Sequence, residues 1–167
     1  MALGPIDILL IEDNASDAEL TVHAFQKHSR TKRIHIVPDG AEALDFFHCT
    51  GTYADRNTDM QPKLILLDLK LPLVDGQYVL RQIRSNATAR HVPVVVLTSS
   101  REARDIYQCY QLGISSYIVK PVNFDEFIDT AKVIAKILAG IKPAASRLGF
   151  VNKWQTCTSL FQTKTNS

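Results

Sequence analysis

The sequence has few cysteines and no long hydrophobic segment, and both features narrow the classes of protein it can belong to. Three cysteines are present, Cys49, Cys109 and Cys157, and no two of them form a Cys-x-x-Cys pair. A disulfide framework or a structural zinc site is therefore not expected. No apolar run approaches the roughly 20 residues of a membrane span. The N-terminus also lacks the basic and apolar segments of a signal peptide. We expect a soluble cytoplasmic protein with reduced thiols.

A strong excess of charge of either sign is also lacking, but the charge is unevenly distributed. The formal net charge is +2 over 167 residues, which by itself indicates no class of partner. Residues 130–167 carry six Lys or Arg and no acidic residue, whereas residues 1–129 carry 13 basic and 17 acidic residues. A chain of this length fits one compact domain. We predict a mildly acidic domain over residues 1–140 and a basic tail over residues 141–167, whose isolated aromatic residues favour a dimerisation or docking arm.

Five short apolar segments alternate with five segments of helical periodicity. The predicted strands are residues 6–11, 33–37, 64–67, 93–97 and 116–119. Regular alternation of this kind is typical of right-handed βαβ units, in which helices cover both faces of a parallel sheet. We therefore predict an α/β fold, a doubly wound five-stranded parallel sheet of flavodoxin-like order 2-1-3-4-5 with five helices.

Cap residues mark the start of four of the predicted helices. Each cap is a Ser, Asp or Asn followed three residues later by Glu. The pairs are Ser16 with Glu19, Asp39 with Glu42, Ser99 with Glu102, and Asn123 with Glu126. Asp75-Gly76 precedes the remaining helix, and residues 50–62 have turn formers without a period, which predicts a loop.

Polar residues follow the strands at the edge where the carboxyl ends of a parallel sheet meet. Glu12 and Asp13 follow the first strand, Asp68 the third, Thr98 the fourth and Lys120 the fifth. In the order 2-1-3-4-5 the first and third strands flank the crevice where such folds place their sites. Carboxylates brought together there repel one another unless a cation lies between them. Mg²⁺ prefers such oxygen ligands, so we predict a magnesium site.

An aspartate beside a bound metal ion can act as a nucleophile toward phosphorus and form an aspartyl phosphate. The metal ion, a lysine ammonium and a hydroxyl donor then share the charge of the phosphoryl oxygens. Lys120 and Thr98 supply the last two groups, and Asp68 is the predicted nucleophile.

With these residues in view, the chain resembles response-regulator receiver (CheY-like) domains over residues 6–139. The motifs that carry the resemblance are Glu12-Asp13, Leu67-Asp68-Leu69, Leu71-Pro72 with Asp75-Gly76, Thr98, and Tyr117 before Lys120-Pro121. More narrowly, the chain is similar to the stand-alone response regulators of phytochrome histidine kinases. That similarity rests on Ile11-Glu12-Asp13-Asn14, the loop with Gly51-Thr52-Tyr53, and the fourth strand.

The resemblance implies that Asp68 accepts a phosphoryl group from a phosphohistidine of a sensor histidine kinase. It implies that Asp13 and Asp68 bind Mg²⁺ directly, that Glu12 acts through water, and that the backbone carbonyl of Lys70 completes the ligands. Such a protein is a phosphoacceptor that catalyses its own phosphorylation and dephosphorylation, and is not otherwise an enzyme.

The resemblance also assigns roles to residues on the fourth and fifth strands. Lys120 pairs with phosphoryl oxygens, the Lys120–Pro121 bond is cis, and Thr98 and Tyr117 form a switch. Tyr117 also fits a half-buried strand aromatic. Relatives of the phytochrome type are often homodimers, and we expect no DNA-binding output domain in this chain.

One departure from the family pattern concerns Lys70, where relatives often have asparagine or methionine. Its side chain could lean over Asp68 and change the lifetime of the phosphoryl group. The same residue weighs against the alternative of a Mg²⁺-dependent phosphatase, because that class typically carries a second aspartate at this place. A flavodoxin-like FMN site is excluded, since Glu12-Asp13 would repel the phosphate.

Overall fold

A computed structural model describes residues 3–28, 33–121 and 123–139, and within them five strands form one parallel sheet in the order β2-β1-β3-β4-β5. The strands are β1 (Ile8–Ile11), β2 (Ile34–Val37), β3 (Leu64–Leu67), β4 (Val94–Thr98) and β5 (Ser116–Val119). The helices are α1 (Ala15–His28), α2 (Gly40–His48), α3 (Gly76–Ser85), α4 (Ala103–Gln111) and α5 (Phe124–Leu138). The predicted α/β fold and its strand order are confirmed. The predicted tail, residues 141–167, lies outside the described residues.

The three central strands are buried on both faces because helices cover the sheet from either side. Every residue of β1, β3 and β4 is buried. Alternate side chains enter two separate apolar clusters. Leu9 and Leu67 pack with residues of α2, α3 and α4, whereas Leu10 and Leu66 pack with residues of α1 and α5. The continuous apolar runs in the sequence therefore reflect a sheet that is covered on both sides.

Two of the four predicted helix caps are found as expected. The Asp39 carboxylate accepts the Glu42 amide at 2.7 Å, and the Asn123 side chain accepts the Glu126 amide at 3.0 Å. Asp75 caps α3, and its carboxylate accepts the Gln77 amide at 2.8 Å. Each of these side chains satisfies a backbone donor that the first helical turn leaves without a partner.

The predicted caps of α1 and α4 are wrong: another residue caps α1, and the residue before α4 makes no side-chain capping hydrogen bond. Asn14 precedes α1 and accepts the Asp17 amide at 3.0 Å, so that Ser16 already lies inside the helix. The residue before α4 is Glu102, and the buried Ser100 hydroxyl accepts its amide at 3.4 Å, whereas Ser99 is exposed. The Ser-x-x-Glu spacing alone could not predict this, because it does not show which of two neighbouring serines faces the protein interior.

The described residues contain no cis peptide bond. The expected cis bond between Lys120 and Pro121 is therefore wrong for this structure, and the bond is trans. The trans isomer is the intrinsically favoured form even before proline. No helix in the described ranges is both long and apolar enough to cross a membrane.

Candidate functional site

The carboxyl ends of four strands bring the predicted site residues to one edge of the sheet. β1 and β3 pair in register, and the Asp68 amide donates to the carbonyl of Ile11 at 3.0 Å, which places Asp68 beside Glu12. β4 and β5 are neighbours as well, and the Lys120 amide donates to the carbonyl of Thr98 at 2.8 Å. The order of the strands therefore brings together four residues that are distant in sequence. They are Glu12, Asp68, Thr98 and Lys120.

Three carboxylates meet at this edge, as the sequence predicts. One oxygen each of Glu12, Asp13 and Asp68 can be chosen so that all three lie within 4.8 Å of one another. Glu12 and Asp68 are buried, and Asp13 is exposed to solvent. The chemistry of this donor set, which is all oxygen and partly open to water, fits a hard divalent cation.

The electrostatics of the cluster are visible in Glu12. The pKa of its carboxyl is raised to about 7, chiefly by burial, with the charge of Asp68 acting in the same direction and Lys120 and the Asn14 amide opposing. The Glu12 carboxylate accepts that amide at 3.0 Å, which orients it toward the crevice. A buried acid whose pKa is raised in this way lies in a pocket with too little positive charge, which is the condition that a bound cation relieves.

Lys120 places its ammonium group at the centre of the acidic residues. Its Nζ lies 2.7 Å from Glu12 Oε2, 2.8 Å from Asp17 Oδ2 and 2.8 Å from Asp68 Oδ2. Burial alone would lower the pKa of Lys120, but the hydrogen bonds to these carboxylates outweigh burial and raise it. The ammonium therefore stays charged, and its three donors are directed to three acids.

Asp17 is the member of this group that reasoning from the sequence missed. It lies in the first turn of α1, where an acidic residue already has an ordinary explanation in the helix dipole. The available signal was its position four residues after Asp13, one helical turn beyond the end of β1. Only the packing of α1 beside the end of β5 shows that it reaches Lys120.

Asp68 is held from three directions. Its Oδ2 accepts from Lys120, its Oδ1 accepts the Lys70 amide at 3.0 Å, and its backbone approaches α3 closely. A Cβ atom at Gly76 would overlap the carbonyl oxygen of Asp68 and the Cα of Leu69. The Asp75-Gly76 motif therefore has a physical reason, since only glycine lets α3 begin against the loop that carries the acceptor.

Lys70 does not cover the acceptor in this structure. The residue is exposed, and its side chain makes no hydrogen bond or ion pair with the described residues. Its backbone amide, not its ammonium, touches Asp68. The role of its carbonyl as a metal ligand stays a prediction.

Thr98 and Tyr117 form a buried polar path away from the acceptor. Thr98 is fully buried, and its hydroxyl accepts the Ser100 amide at 3.4 Å. Tyr117 is buried too, and its hydroxyl donates to the Ser100 carbonyl at 3.0 Å. The Ser100 hydroxyl donates to Asp105 at 2.6 Å, which connects the path to α4. A change at Thr98 therefore has a direct connection to the surface formed by β5 and α4.

Residues 8–132 of the chain match the model of the response regulator receiver domain. The match covers the whole sheet and every residue of the acidic cluster. The chain belongs to the response regulator receiver family. Its five-stranded sheet is thus that of a receiver domain.

Two curated relatives show the range of proteins that contain similar receiver domains. The probable methanogenesis regulatory protein FilR2 of Methanothrix harundinacea is 38% identical over 139 residues, which cover 83% of this chain and 87% of FilR2. The response regulator Rcp1 of Synechocystis is 35% identical over 122 residues, which cover 73% of this chain and 81% of Rcp1.

Two solved structures have the same fold as this receiver domain. The Mn²⁺-bound form of Rcp1 aligns with a TM-score of 0.71 and 34% identity, covering 79% of this chain and 93% of Rcp1. The phosphorylated cyanobacterial phytochrome response regulator RcpA aligns with a TM-score of 0.73 and 35% identity, covering 81% of this chain and 95% of RcpA.

Proposed function

We propose that this receiver domain is the response regulator of a two-component phosphorelay, in which Asp68 accepts a phosphoryl group from a sensor histidine kinase. The observation that carries the proposal is the position of the Lys120 ammonium, 2.8 Å from Asp68 Oδ2 and directly beside the carboxylate cluster. A nucleophile, a cation for the developing charge and a set of metal ligands are thus in one crevice. Phosphoryl transfer requires little more from a protein than this positioning.

In the proposed reaction an oxygen of the Asp68 carboxylate forms a bond to phosphorus. The bond between phosphorus and the histidine nitrogen of the kinase breaks, and the nitrogen keeps its electron pair. Glu12, Asp13 and Asp68 are the residues that would hold Mg²⁺, which would supply positive charge to the phosphoryl oxygens. Lys120 supplies a second positive charge, and Thr98 supplies a hydroxyl donor from the end of β4.

The proposed output is a change of surface. If the Thr98 hydroxyl turns to a phosphoryl oxygen, the Ser100 amide loses its partner, and Ser100 also holds Tyr117 and the start of α4. Phosphorylation adds roughly −1.5 to −2 charge units, which is enough to bias a two-state element of this kind. We propose that the protein acts as a signalling phosphoacceptor in the cytoplasm and is an enzyme only toward its own phosphoryl group.

The identity of the kinase is a narrower proposal. RcpA is named as a phytochrome response regulator, and this chain is 35% identical to it. That similarity supports a phytochrome-type histidine kinase as the donor. We propose a homodimer as the assembly because the phytochrome-type regulators that the sequence resembles are often dimers. A panel of sensor kinases carrying ³²P-phosphohistidine tests the partner, and transfer to this chain is expected to be fastest from a phytochrome kinase.

The main experiment incubates the protein with an acyl phosphate, with and without Mg²⁺, and measures the intact mass. Wild type is expected to gain one phosphoryl group only when Mg²⁺ is present, and Asp68→Asn to gain none. Absence of the gain in wild type, or an equal gain in both proteins, contradicts the proposal. Repeated turnover of phosphomonoesters would instead favour a phosphatase.

A further inference from the structure

We propose that Asp17 is a positioning residue of this site: its carboxylate anchors the Lys120 ammonium and so leaves Glu12 and Asp68 available to a divalent cation. The inference rests on the proposed function, since it concerns the metal ion that phosphoryl transfer to Asp68 requires. None of the receiver motifs in this sequence includes Asp17. We infer its role from its contact with Lys120 in the structure.

The geometry separates Asp17 from the other two acids around Lys120. All three carboxylates lie within 2.8 Å of Nζ. Glu12 and Asp68 also belong to the cluster of candidate metal ligands, whereas Asp17 does not. Glu12 and Asp68 therefore serve both cations of the site, and Asp17 serves the ammonium alone.

Asp17 is itself well held, so it can act as an anchor. The side chain of Asn14 accepts its amide at 3.0 Å, and the Thr21 hydroxyl donates to its carbonyl at 2.8 Å. Its position is thus set by α1, which packs on α5, and does not depend on the acceptor loop. The Asp17 side chain is 29% exposed, against 5% for that of Asp68.

The consequence is a division of positive charge. A divalent ion at Glu12 and Asp68 repels the Lys120 ammonium and competes with it for the same oxygens. Asp17 offers the ammonium a partner that the ion does not use, so Lys120 can remain close to the acceptor when the ion binds. Without Asp17 the ammonium has only Glu12 and Asp68 as acidic partners, and we expect it to oppose metal binding.

The test is a calorimetric titration of the full chain with Mg²⁺ alone, which needs no phosphodonor. Asp17→Asn is expected to raise the dissociation constant about fivefold, in the range for the net contribution of one ordinary hydrogen bond. Glu19→Gln is the matched control, since it removes the same charge from an exposed position of the same helix. We expect less than about a twofold change in that control because exposed charges are screened.

Two further measurements distinguish positioning from a loss of structure. Asp17→Glu keeps a carboxylate at this position and is expected to restore most of the affinity. In phosphorylation assays, Asp17→Asn is expected to raise the Mg²⁺ concentration for half-maximal rate more than it lowers the rate at saturating Mg²⁺.

Equal Mg²⁺ affinity of wild type and Asp17→Asn overturns the inference, and so does an equal loss in Asp17→Asn and Glu19→Gln. Failure of the proposed function is a different result, in which wild type binds Mg²⁺ but takes up no phosphoryl group. The titration decides the role of Asp17 in either case.

Discussion

Two half-buried cations lie at opposite edges of the sheet, and they have different kinds of partner. Lys120, at the carboxyl edge, pairs with three carboxylates. Among the described residues, Arg84, near the amino ends of β4 and β5, donates only to backbone carbonyls. Its partners are the carbonyl oxygens of Leu112 at 2.8 Å, Val92 at 2.9 Å, Arg90 at 3.0 Å and Gly113 at 3.0 Å.

The difference in partners separates a site from a scaffold. Backbone carbonyls cannot be protonated, and their positions are fixed by the chain, so the guanidinium of Arg84 ties the segment before β4 to the turn before β5 permanently. The carboxylates around Lys120 can bind another cation or be modified. Burial lowers the pKa of Arg84, whereas carboxylates outweigh burial and raise the pKa of Lys120. Excess negative charge therefore marks the edge of the sheet where chemistry takes place.

The largest effect is expected from Lys120→Met. Removing the ammonium should slow phosphorylation of Asp68 about 100-fold or more, the usual loss for one donor to a developing charge. It should also lower the free energy of unfolding by about 3 kcal/mol, because Glu12 and Asp68 stay buried without their partner. Acyl-phosphate labelling and urea unfolding measure the two quantities.

The stabilisation of the protein by Mg²⁺ provides a second test of the role of Lys120. A divalent ion can replace the missing positive charge, so Mg²⁺ should stabilise Lys120→Met more than it stabilises wild type. If the variant is phosphorylated at the wild-type rate, or if Mg²⁺ stabilises both proteins equally, Lys120 belongs to the scaffold.

Arg84→Ala should give the opposite profile. Loss of the guanidinium should lower the free energy of unfolding by about 3 kcal/mol, since several charge-assisted hydrogen bonds disappear together. Mg²⁺ should not restore stability beyond its effect on wild type. Arg81→Ala is the control, because Arg81 is exposed on the same helix, and urea unfolding of the two variants should differ by most of the predicted loss.

Gly76→Ala tests whether the scaffold also sets the position of the acceptor. The added Cβ would overlap backbone atoms of Asp68 and Leu69, so α3 or the acceptor loop must shift. We expect a loss of about 2 kcal/mol in stability, typical of overpacking, together with slower phosphorylation. Gly4→Ala meets no atom within 4 Å and serves as the control. A Gly76→Ala variant that unfolds and reacts as Gly4→Ala does would contradict the close approach.

The sequence predicts the fold and most of the site because the signals are local. Apolar runs, caps and the residue after each strand identify the elements, and the strand order then brings Glu12 and Asp68 together. Asp17 and Arg84 could not be assigned in this way, since their partners lie 103 residues away in one case and up to 29 in the other. An acid in a first helical turn and a basic residue near a helix end both have ordinary local explanations, which hide such contacts.

A buried arginine in the predicted loop illustrates the same limit. Arg56 is 7% exposed, stacks at 3.8 Å on the ring of Phe46 and donates to its carbonyl at 3.1 Å. Turn formers in residues 50–62 predict a solvated loop and give no sign of a charged side chain that fastens it to α2. Like Arg84, Arg56 satisfies carbonyls, which is how this fold uses a buried guanidinium away from the site.

The smallest effect is expected from Asp7→Asn, which removes the carboxylate of an ion pair with a largely exposed lysine. Lys63 Nζ lies 2.9 Å from Asp7 Oδ1, and Lys63 is largely exposed. The hydrogen bond from Lys63 lowers the pKa of Asp7 below its ordinary value, with the charge of Arg33 acting in the same direction and burial opposing. At pH 7 the substitution should cost about 0.5 kcal/mol, as for most surface ion pairs.

The sign of its pH dependence follows from the lowered pKa. A carboxylate with a lowered pKa in the folded state contributes stability above its unfolded pKa of about 4. That contribution disappears as the pH falls through the folded pKa, so wild type and Asp7→Asn should converge in thermal stability in acid. A difference that persists undiminished at pH 2 would show that packing, and not charge, is what Asp7 contributes. High salt should reduce the pH 7 difference too, whereas the effect of Arg84→Ala on stability should not depend on salt, because its partners carry no net charge.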